Sequence, residues 1–206
     1  MIFEKRRMLL ASKRFMQDIH NLPSEIKNKT VILIGPMGTG KSTIAKILAK
    51  NGNRIPLDDR EFLKGIYARR KKFQNFKNFE FGLTGTVLST LKRPSVIDFG
   101  AGHSIYEDES LRRQMLLMCA EFNNIILLLP SEDKEESRQI LMERRNIEQG
   151  SHADRDNWHF ITAPNNYELA TDIIYEKDKT PEEIAEEIET LLKTKDKVRE
   201  KSEVVI

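Results

Sequence analysis

Residues 35–42 constrain this chain more than any other part of its sequence. They read Gly-Pro-Met-Gly-Thr-Gly-Lys-Ser and fit the pattern G-x-x-x-x-G-K-[ST] at every fixed position. The apolar run 31–34 before them predicts a buried strand, because it offers no polar face to solvent. Residues 41–50 after them have apolar side chains at helical spacing, closed by Asn51-Gly52. The pattern is therefore predicted to be the turn between a central strand and a helix.

This pattern in this context is typical of a phosphate-binding loop, or P-loop. Glycines let successive backbone N–H groups point at phosphate oxygens, and the helix N-terminus adds partial positive charge. Lys41 is predicted to reach the β- and γ-phosphates of ATP, and the Ser42 hydroxyl to bind Mg²⁺. A dinucleotide fingerprint starting at Gly38 fits less well, because position 43 is Thr and Lys41 has no role in it. The predicted nucleotide-binding residues of this segment are Gly35, Met37, Gly38, Thr39, Gly40, Lys41, Ser42 and Thr43.

Predicted strands and helices alternate along the chain. Further strands are predicted at 54–57, 95–98, 124–129 and 172–175, and helices at 61–72, 79–91, 108–122, 133–146 and 181–193. This alternation predicts an α/β fold with three layers, α/β/α, around a five-stranded parallel sheet. We expect a kinase-type domain at 30–194, a basic helical arm at 1–29 and a charged tail that frays at 195–206.

Composition excludes several classes of protein. The 206 residues have 34 Lys and Arg against 32 Asp and Glu, so nothing drives the whole chain toward nucleic acid or membrane. The single cysteine, Cys119, forms no internal disulfide, which excludes a disulfide-built scaffold and favours the cytoplasm. No apolar run approaches the roughly 18 residues that span a bilayer. The basic, acid-poor residues 1–22 leave a mitochondrial-type presequence open.

Four features in chain order resemble shikimate kinase and its relatives among the P-loop kinases of nucleosides and nucleotides. After the P-loop come Leu57-Asp58-Asp59 at a strand end and a strand that closes in Gly100-Ala101-Gly102. The fourth feature is Tyr167-x-x-Ala170, which precedes the last strand and helix. The resemblance implies transfer of the γ-phosphoryl group of ATP, with Mg²⁺, to a hydroxyl of a small-molecule acceptor. It implies a monomer or homodimer.

The resemblance also implies roles at the acceptor side. Asp59 is expected to orient or deprotonate the acceptor hydroxyl, although an N-cap role is compatible with the same position. The turn formed by Gly100, Ala101 and Gly102 is expected to lie against the acceptor. Asp98 ends a buried strand and is predicted to hold Mg²⁺ with Ser42, as a Walker B acid does; its alternative is a satisfied strand-end carboxylate.

Two arginines are candidates on the nucleotide side. Arg144 matches a family arginine that stacks on adenine, and its alternative is a charge that complements a helix C-terminus. Arg155 lies in the predicted lid, about residues 147–160. There it is expected to stabilise charge on the transferring phosphoryl group, while the closed lid excludes water.

The acceptor side departs from the family. Arginines that grip the acceptor's carboxylate in the family are missing near 79–84 and near Ala163. No other side chain imitates a bidentate arginine clamp, which argues against shikimate itself as acceptor. Two alternatives stay open: a nucleotide-binding regulatory protein without acceptor turnover, and a nucleoside or nucleotide kinase. The basic run 69–72 is compatible with nucleic acid, which we do not expect as a partner.

Overall fold

The computed structural model describes residues 2–50, 53–57 and 76–203, with side chains described for 10–50, 53–57 and 76–201. Asp58, Asp59, the predicted helix 61–72 and the basic run 69–72 lie outside these ranges. Among the described residues, no helix has the length and apolar character needed to cross a membrane.

A five-stranded, all-parallel sheet forms the centre of the fold and confirms the predicted architecture. Its order is β2-β3-β1-β4-β5, so the strand that precedes the P-loop is central. Ile32 of this strand pairs with Ile97 on one side and Ile125 on the other. The strands are β1 (Val31–Ile34), β2 (Arg54–Pro56), β3 (Val96–Asp98), β4 (Ile125–Leu129) and β5 (Asp172–Tyr175).

Helices cover both faces of the sheet. Alternate strand residues point to opposite faces, so Ile32 and Ile34 enter one apolar core while Val31 and Leu33 enter the other. The described helices are α1 (Ile2–His20), α2 (Ser24–Lys29), α3 (Lys41–Leu48), α4 (Phe76–Ser89), α5 (Glu109–Cys119), α6 (Lys134–Arg145), α7 (His152–Thr162), α8 (Pro164–Leu169) and α9 (Pro181–Glu203).

Helix caps define where several helices begin. At α9, the Glu183 N–H donates to the Thr180 hydroxyl at 3.2 Å, and the Glu183 carboxylate accepts from the Thr180 N–H at 2.7 Å. This reciprocal pair is a capping box. At α6, Asp133 is the N-cap and accepts from the Glu136 N–H at 2.8 Å.

Residues 147–165, for which the sequence analysis predicts no helix, contain α7 and the start of α8. Ser151 caps α7 by accepting from the Asp154 N–H at 3.2 Å. The inner face of α7 includes Asp154 and Asn157 beside Ile161, and all three are buried. Two of these inward residues are polar, so apolar residues alone do not mark the buried face of this helix.

The first and the last of the described helices pack on the rest of the fold. Ile19 of α1 is fully buried, and Phe15 lies so close to Gly85 of α4 that a Cβ at Gly85 would come within 2.3 Å of its ring. The segment predicted as an arm is thus packed on α4. At the other end, α9 continues to Glu203 instead of fraying at 195, and Lys195 forms an ion pair with Asp172.

Candidate active site

The P-loop lies at the carboxyl end of β1, where its glycines adopt conformations that other residues rarely reach. Gly35 has φ 138°, and a Cβ there would lie 2.4 Å from the Leu128 carbonyl oxygen. Gly38 has φ 93°, and a Cβ there would lie 2.7 Å from Cδ of Arg145. Gly40 has φ 67° and is the N-cap of α3. The loop therefore depends on glycine for its backbone path and for its close neighbours.

Lys41 folds its side chain back into the loop. Its Nζ donates to the carbonyl oxygens of Gly35, at 2.9 Å, and Pro36, at 2.7 Å. Thr39 is buried, and its hydroxyl also donates to Pro36 O, at 3.1 Å. The N–H groups of residues 37–40 have no hydrogen-bond acceptor among the described residues. A concave loop with available donors and a lysine beside it can bind an anion.

Two further residues predicted for this segment, Met37 and Thr43, lie within the loop and directly after it. Met37 is half-buried within it, and Thr43 is exposed in the first turn of α3, where its N–H donates to Gly40 O at 2.8 Å. Both therefore lie at the loop, as the sequence pattern requires.

Ser42 and Asp98 meet across two adjacent strands. Asp98 ends β3 opposite Leu33 of β1, and Ser42 is the second residue of α3 and the last of the loop pattern. The Ser42 hydroxyl donates to Asp98 Oδ2 at 2.8 Å, and the carboxylate is only 1% exposed. The other oxygen, Oδ1, is buried and has no hydrogen-bond partner among the described residues. Ser42 and Asp98, which the sequence predicts to hold a metal, are thus in contact, and one carboxylate oxygen has no hydrogen-bond partner among the described residues.

Arg54 also contacts Asp98, and sequence reasoning missed it. Its Nη2 donates to Asp98 Oδ2 at 2.7 Å. β2 and β3 are neighbours in which Arg54 is registered with Val96 and Pro56 with Asp98. No local sequence signal marks this contact, because it depends on the pairing of two strands that are 42 positions apart in sequence (residue 54 against residue 96).

The end of α6 approaches the loop from the other side. Arg144 pairs with Glu176, which follows β5, with Nη1 to Oε2 at 2.6 Å. Burial is the main influence on Glu176 and raises its pKa above the ordinary value, against the opposite effects of Arg144 and Lys41. The next residue, Arg145, lies against Gly38. Arg144 therefore lies one residue from the contact of Arg145 with the loop, and its guanidinium is held by a buried carboxylate.

The buried Asp154 carboxylate links the predicted lid to α6. Arg138 binds both oxygens of Asp154, each at 2.7 Å, and the Gly150 N–H donates to the same side chain at 2.6 Å. These donors, the arginine first, lower the pKa of Asp154 to about 2. The Arg138 guanidinium also lies 5.6 Å from the centre of the Trp158 ring. Arg155 is exposed, and its Nη1 donates to Gly150 O at 2.6 Å, within the lid itself.

The glycine turn after β3 is packed against an ion pair of α4. Lys77 Nζ donates to Gly102 O at 2.7 Å and lies 2.9 Å from Glu80, which is 5% exposed. A Cβ at Gly102 would lie 3.0 Å from Lys77 Nζ and 3.1 Å from Glu80 Oε1. Gly100 precedes this contact, and Ala101 is buried within the turn. Sequence reasoning missed Lys77 and Glu80, whose i, i+3 spacing on a helix was the available signal.

A cavity of about 460 Å³ opens beside this turn. Lys77 and Tyr106 line one side, and His159 and Phe160 from the end of α7 line the other. Burial, followed by the charge of Glu80, raises the pKa of Tyr106 well above its ordinary value, so the phenol stays neutral. The cavity is large enough for a small polar molecule and lies on the glycine-turn side of the sheet edge.

The fold and the loop together define the class: this chain has a P-loop kinase fold. Among solved structures, a shikimate kinase from Acinetobacter baumannii in complex with shikimate is similar, with a TM-score of 0.57 and 19% sequence identity. The match covers 84% of this chain and 98% of that one. The fold is therefore shikimate kinase-like. No protein family and no curated protein sequence matches the chain.

Proposed function

We propose that this protein transfers the γ-phosphoryl group of ATP to a hydroxyl of a small-molecule acceptor. The observation that carries the proposal is the P-loop itself, in which Lys41 Nζ lies against the loop carbonyl oxygens and the N–H groups of residues 37–40 have no acceptor among the described residues. In phosphoryl transfer, most of the catalysis comes from positioning and from stabilising charge. Lys41 would leave the carbonyl oxygens of Gly35 and Pro36 and bind the phosphates instead.

The residues present fit Mg²⁺. The buried Oδ1 of Asp98 lacks a hydrogen-bond partner among the described residues, and the Ser42 hydroxyl lies beside the same carboxylate. Carboxylate and hydroxyl oxygens are suitable ligands for this cation. Ser42 and Asp98 would hold the metal, which when bound neutralises charge on the phosphates.

The acceptor would lie between the glycine turn and the cavity beside it. Gly100–Gly102 would let the acceptor approach the backbone, and Asp59 would orient or deprotonate its hydroxyl. Residues 147–160 would exclude water, so that ATP is not simply hydrolysed. Arg155 would have to leave Gly150 O to reach the phosphates, and Arg144 would offer its guanidinium face to the base.

The test is ADP release from purified protein with Mg·ATP, alone and with a panel of acceptors. The panel contains shikimate, polyols, nucleosides and nucleoside monophosphates, and mass spectrometry identifies any phosphorylated product. We expect a hydroxylated acceptor to stimulate ADP release and to gain one phosphoryl group. Failure to bind ATP at all would contradict the proposal.

One observation favours a second function, nucleotide binding without acceptor turnover. Lys77, the cation described at the glycine turn, is already engaged by Glu80 and Gly102 O. A site whose cation is neutralised in this way has little attraction for an anionic acceptor. ATP binding without stimulation by any acceptor would favour this second function.

A further inference from the structure

The pairing of Arg54 with Asp98 has a function that neither the fold nor the P-loop pattern requires. The Arg54 side chain is 19% exposed and that of Asp98 is 1% exposed, so the ion pair is largely removed from water. Asp98 Oδ2 accepts from two donors, the Arg54 guanidinium at 2.7 Å and the Ser42 hydroxyl at 2.8 Å. The guanidinium therefore lies within about 5.5 Å of the hydroxyl that would hold the metal.

The pair is also incomplete. An arginine usually binds a carboxylate through two parallel hydrogen bonds, which is the strong geometry. Here Arg54 Nε and Asp98 Oδ1 are both buried, and neither has a hydrogen-bond partner in the part of the chain that the structure describes. One donor thus lacks an anion, and one carboxylate oxygen lacks a cation.

Mg·ATP supplies what each of these two atoms lacks. A divalent cation satisfies a carboxylate oxygen, and a phosphate oxygen satisfies a guanidinium N–H. By contrast, Arg138 and Asp154 form a complete two-bond pair away from the P-loop. The Arg144–Glu176 pair also leaves one carboxylate oxygen without a partner, but among the described arginine–carboxylate pairs only Arg54–Asp98 leaves both a buried Nε and a buried carboxylate oxygen without one.

We propose that Arg54 is the internal counter-ion of Asp98 in the metal-free protein and that Mg²⁺ displaces it from the carboxylate. On nucleotide binding, Arg54 turns its guanidinium from Asp98 toward the phosphates. Arg54 is thus a competitor of the metal for one carboxylate and a positioning residue for the nucleotide. The nucleotide half of this inference rests on the proposed kinase function, and the metal half does not.

The experiment compares wild type with Arg54→Met, which removes the charge and keeps the length of the side chain. The first measurement is the melting temperature as a function of Mg²⁺ alone. In Arg54→Met, Asp98 has no competing cation, so Mg²⁺ should stabilise the variant at concentrations about tenfold lower than wild type, which corresponds to about 1.4 kcal/mol. Equal Mg²⁺ responses in the two proteins would overturn the proposal.

Three further variants make the first measurement specific. Arg54→Met with Asp98→Asn should lose the gain in Mg²⁺ response, because the carboxylate is gone. Arg112→Met removes an arginine that pairs with Glu168, between α5 and α8, and should respond as wild type does. Arg54→Gln keeps a donor for Asp98 without the charge, and it replaces Arg54→Met if that variant does not fold. A gain in Mg²⁺ response that survives Asp98→Asn would also overturn the proposal.

The second measurement is ATP affinity by calorimetry, in EDTA and at saturating Mg²⁺. The dissociation constant in EDTA divided by that at saturating Mg²⁺ should rise about tenfold in Arg54→Met. The reason is that the metal-free site loses its only cation at Asp98 among the described residues. An unchanged ratio would refute the nucleotide half. If neither protein binds ATP, the kinase function fails, and the measurement with Mg²⁺ alone still decides whether Arg54 competes for Asp98.

Discussion

The nucleotide side and the acceptor side of the candidate active site are built differently. On the nucleotide side, backbone groups dominate: three glycines with positive φ shape the loop, and carbonyl oxygens hold Lys41. On the acceptor side, the described groups at the turn are two side chains of α4, Lys77 and Glu80. A backbone-built site allows little variation in sequence, whereas one substitution can change the specificity of a side-chain-built site. The difference explains why the P-loop is recognisable while the acceptor is not.

The largest expected effect comes from Lys41→Ala on the nucleotide side. Loss of a positioned cation should lower acceptor-stimulated ADP release by about 10²–10³. The fold should survive, because the hydrogen bonds that Lys41 Nζ donates to Gly35 O and Pro36 O lie within the loop and not in the apolar core. ADP release and the melting temperature are measured together, with Lys46→Ala on the exposed face of α3 as control. Unchanged turnover would remove Lys41 from the mechanism.

The next effect tests whether the loop backbone requires glycine at position 38. Gly38→Ala introduces a Cβ at φ 93°, 2.7 Å from the Arg145 side chain. Strain of this kind costs roughly 1–3 kcal/mol, so ATP affinity measured by calorimetry should fall between about fivefold and 150-fold. Gly82→Ala is the matched control: it lies in α4 with no atom within 4 Å of the added Cβ. It should stabilise the protein by about 0.4–1 kcal/mol and leave ATP affinity unchanged.

The acceptor side should respond separately. Lys77→Met leaves the Glu80 carboxylate buried without its cation, and should lower the free energy of unfolding by about 1–3 kcal/mol. With the acceptor identified, its KM should change several-fold while the KM for ATP does not. Adding Glu80→Gln to the variant should recover most of the lost stability. A change in the KM for ATP equal to that for the acceptor would show that the two sides are not independent.

The smallest effect concerns the lid and is seen at low pH. The folded-state pKa of Asp154 is about 2, below the ordinary value, so its pairing with Arg138 stabilises the fold above pH 4 or so. That contribution is lost as pH falls from about 4 toward 2. Thermal melting across this range should show a steeper loss of stability for wild type than for Asp154→Asn. Parallel pH profiles would contradict the assigned role of the pair.

Sequence reasoning succeeded where the signal is local. The strands 31–34 and 125–129 are wholly apolar runs, and the P-loop pattern spans eight consecutive residues, so these features follow from pattern alone. It failed where a contact joins distant segments. The Arg54–Asp98 pair requires the register of β2 and β3, and the Lys77–Gly102 contact requires the packing of α4 on the turn.

Helix α7 shows a second reason for failure. Its buried face includes Asp154 and Asn157, so polar residues interrupt the apolar pattern on that side of the helix. The polar residues are tolerated because the Asp154 carboxylate is satisfied by Arg138 and by the Gly150 N–H. Only the three-dimensional partner explains why a charged residue lies inward.

The central position of β1 has a consequence for the order in which the protein is made. Ile32 pairs with Ile97 and with Ile125, and both partners lie far after it in sequence (residue 32 against residues 97 and 125). Pairing between distant strands requires closure of long loops before any contact repays it, and is slow for that reason. The strand that leads into the P-loop is therefore paired on both sides only after residue 125 has been synthesised, although the loop itself is complete in sequence much earlier.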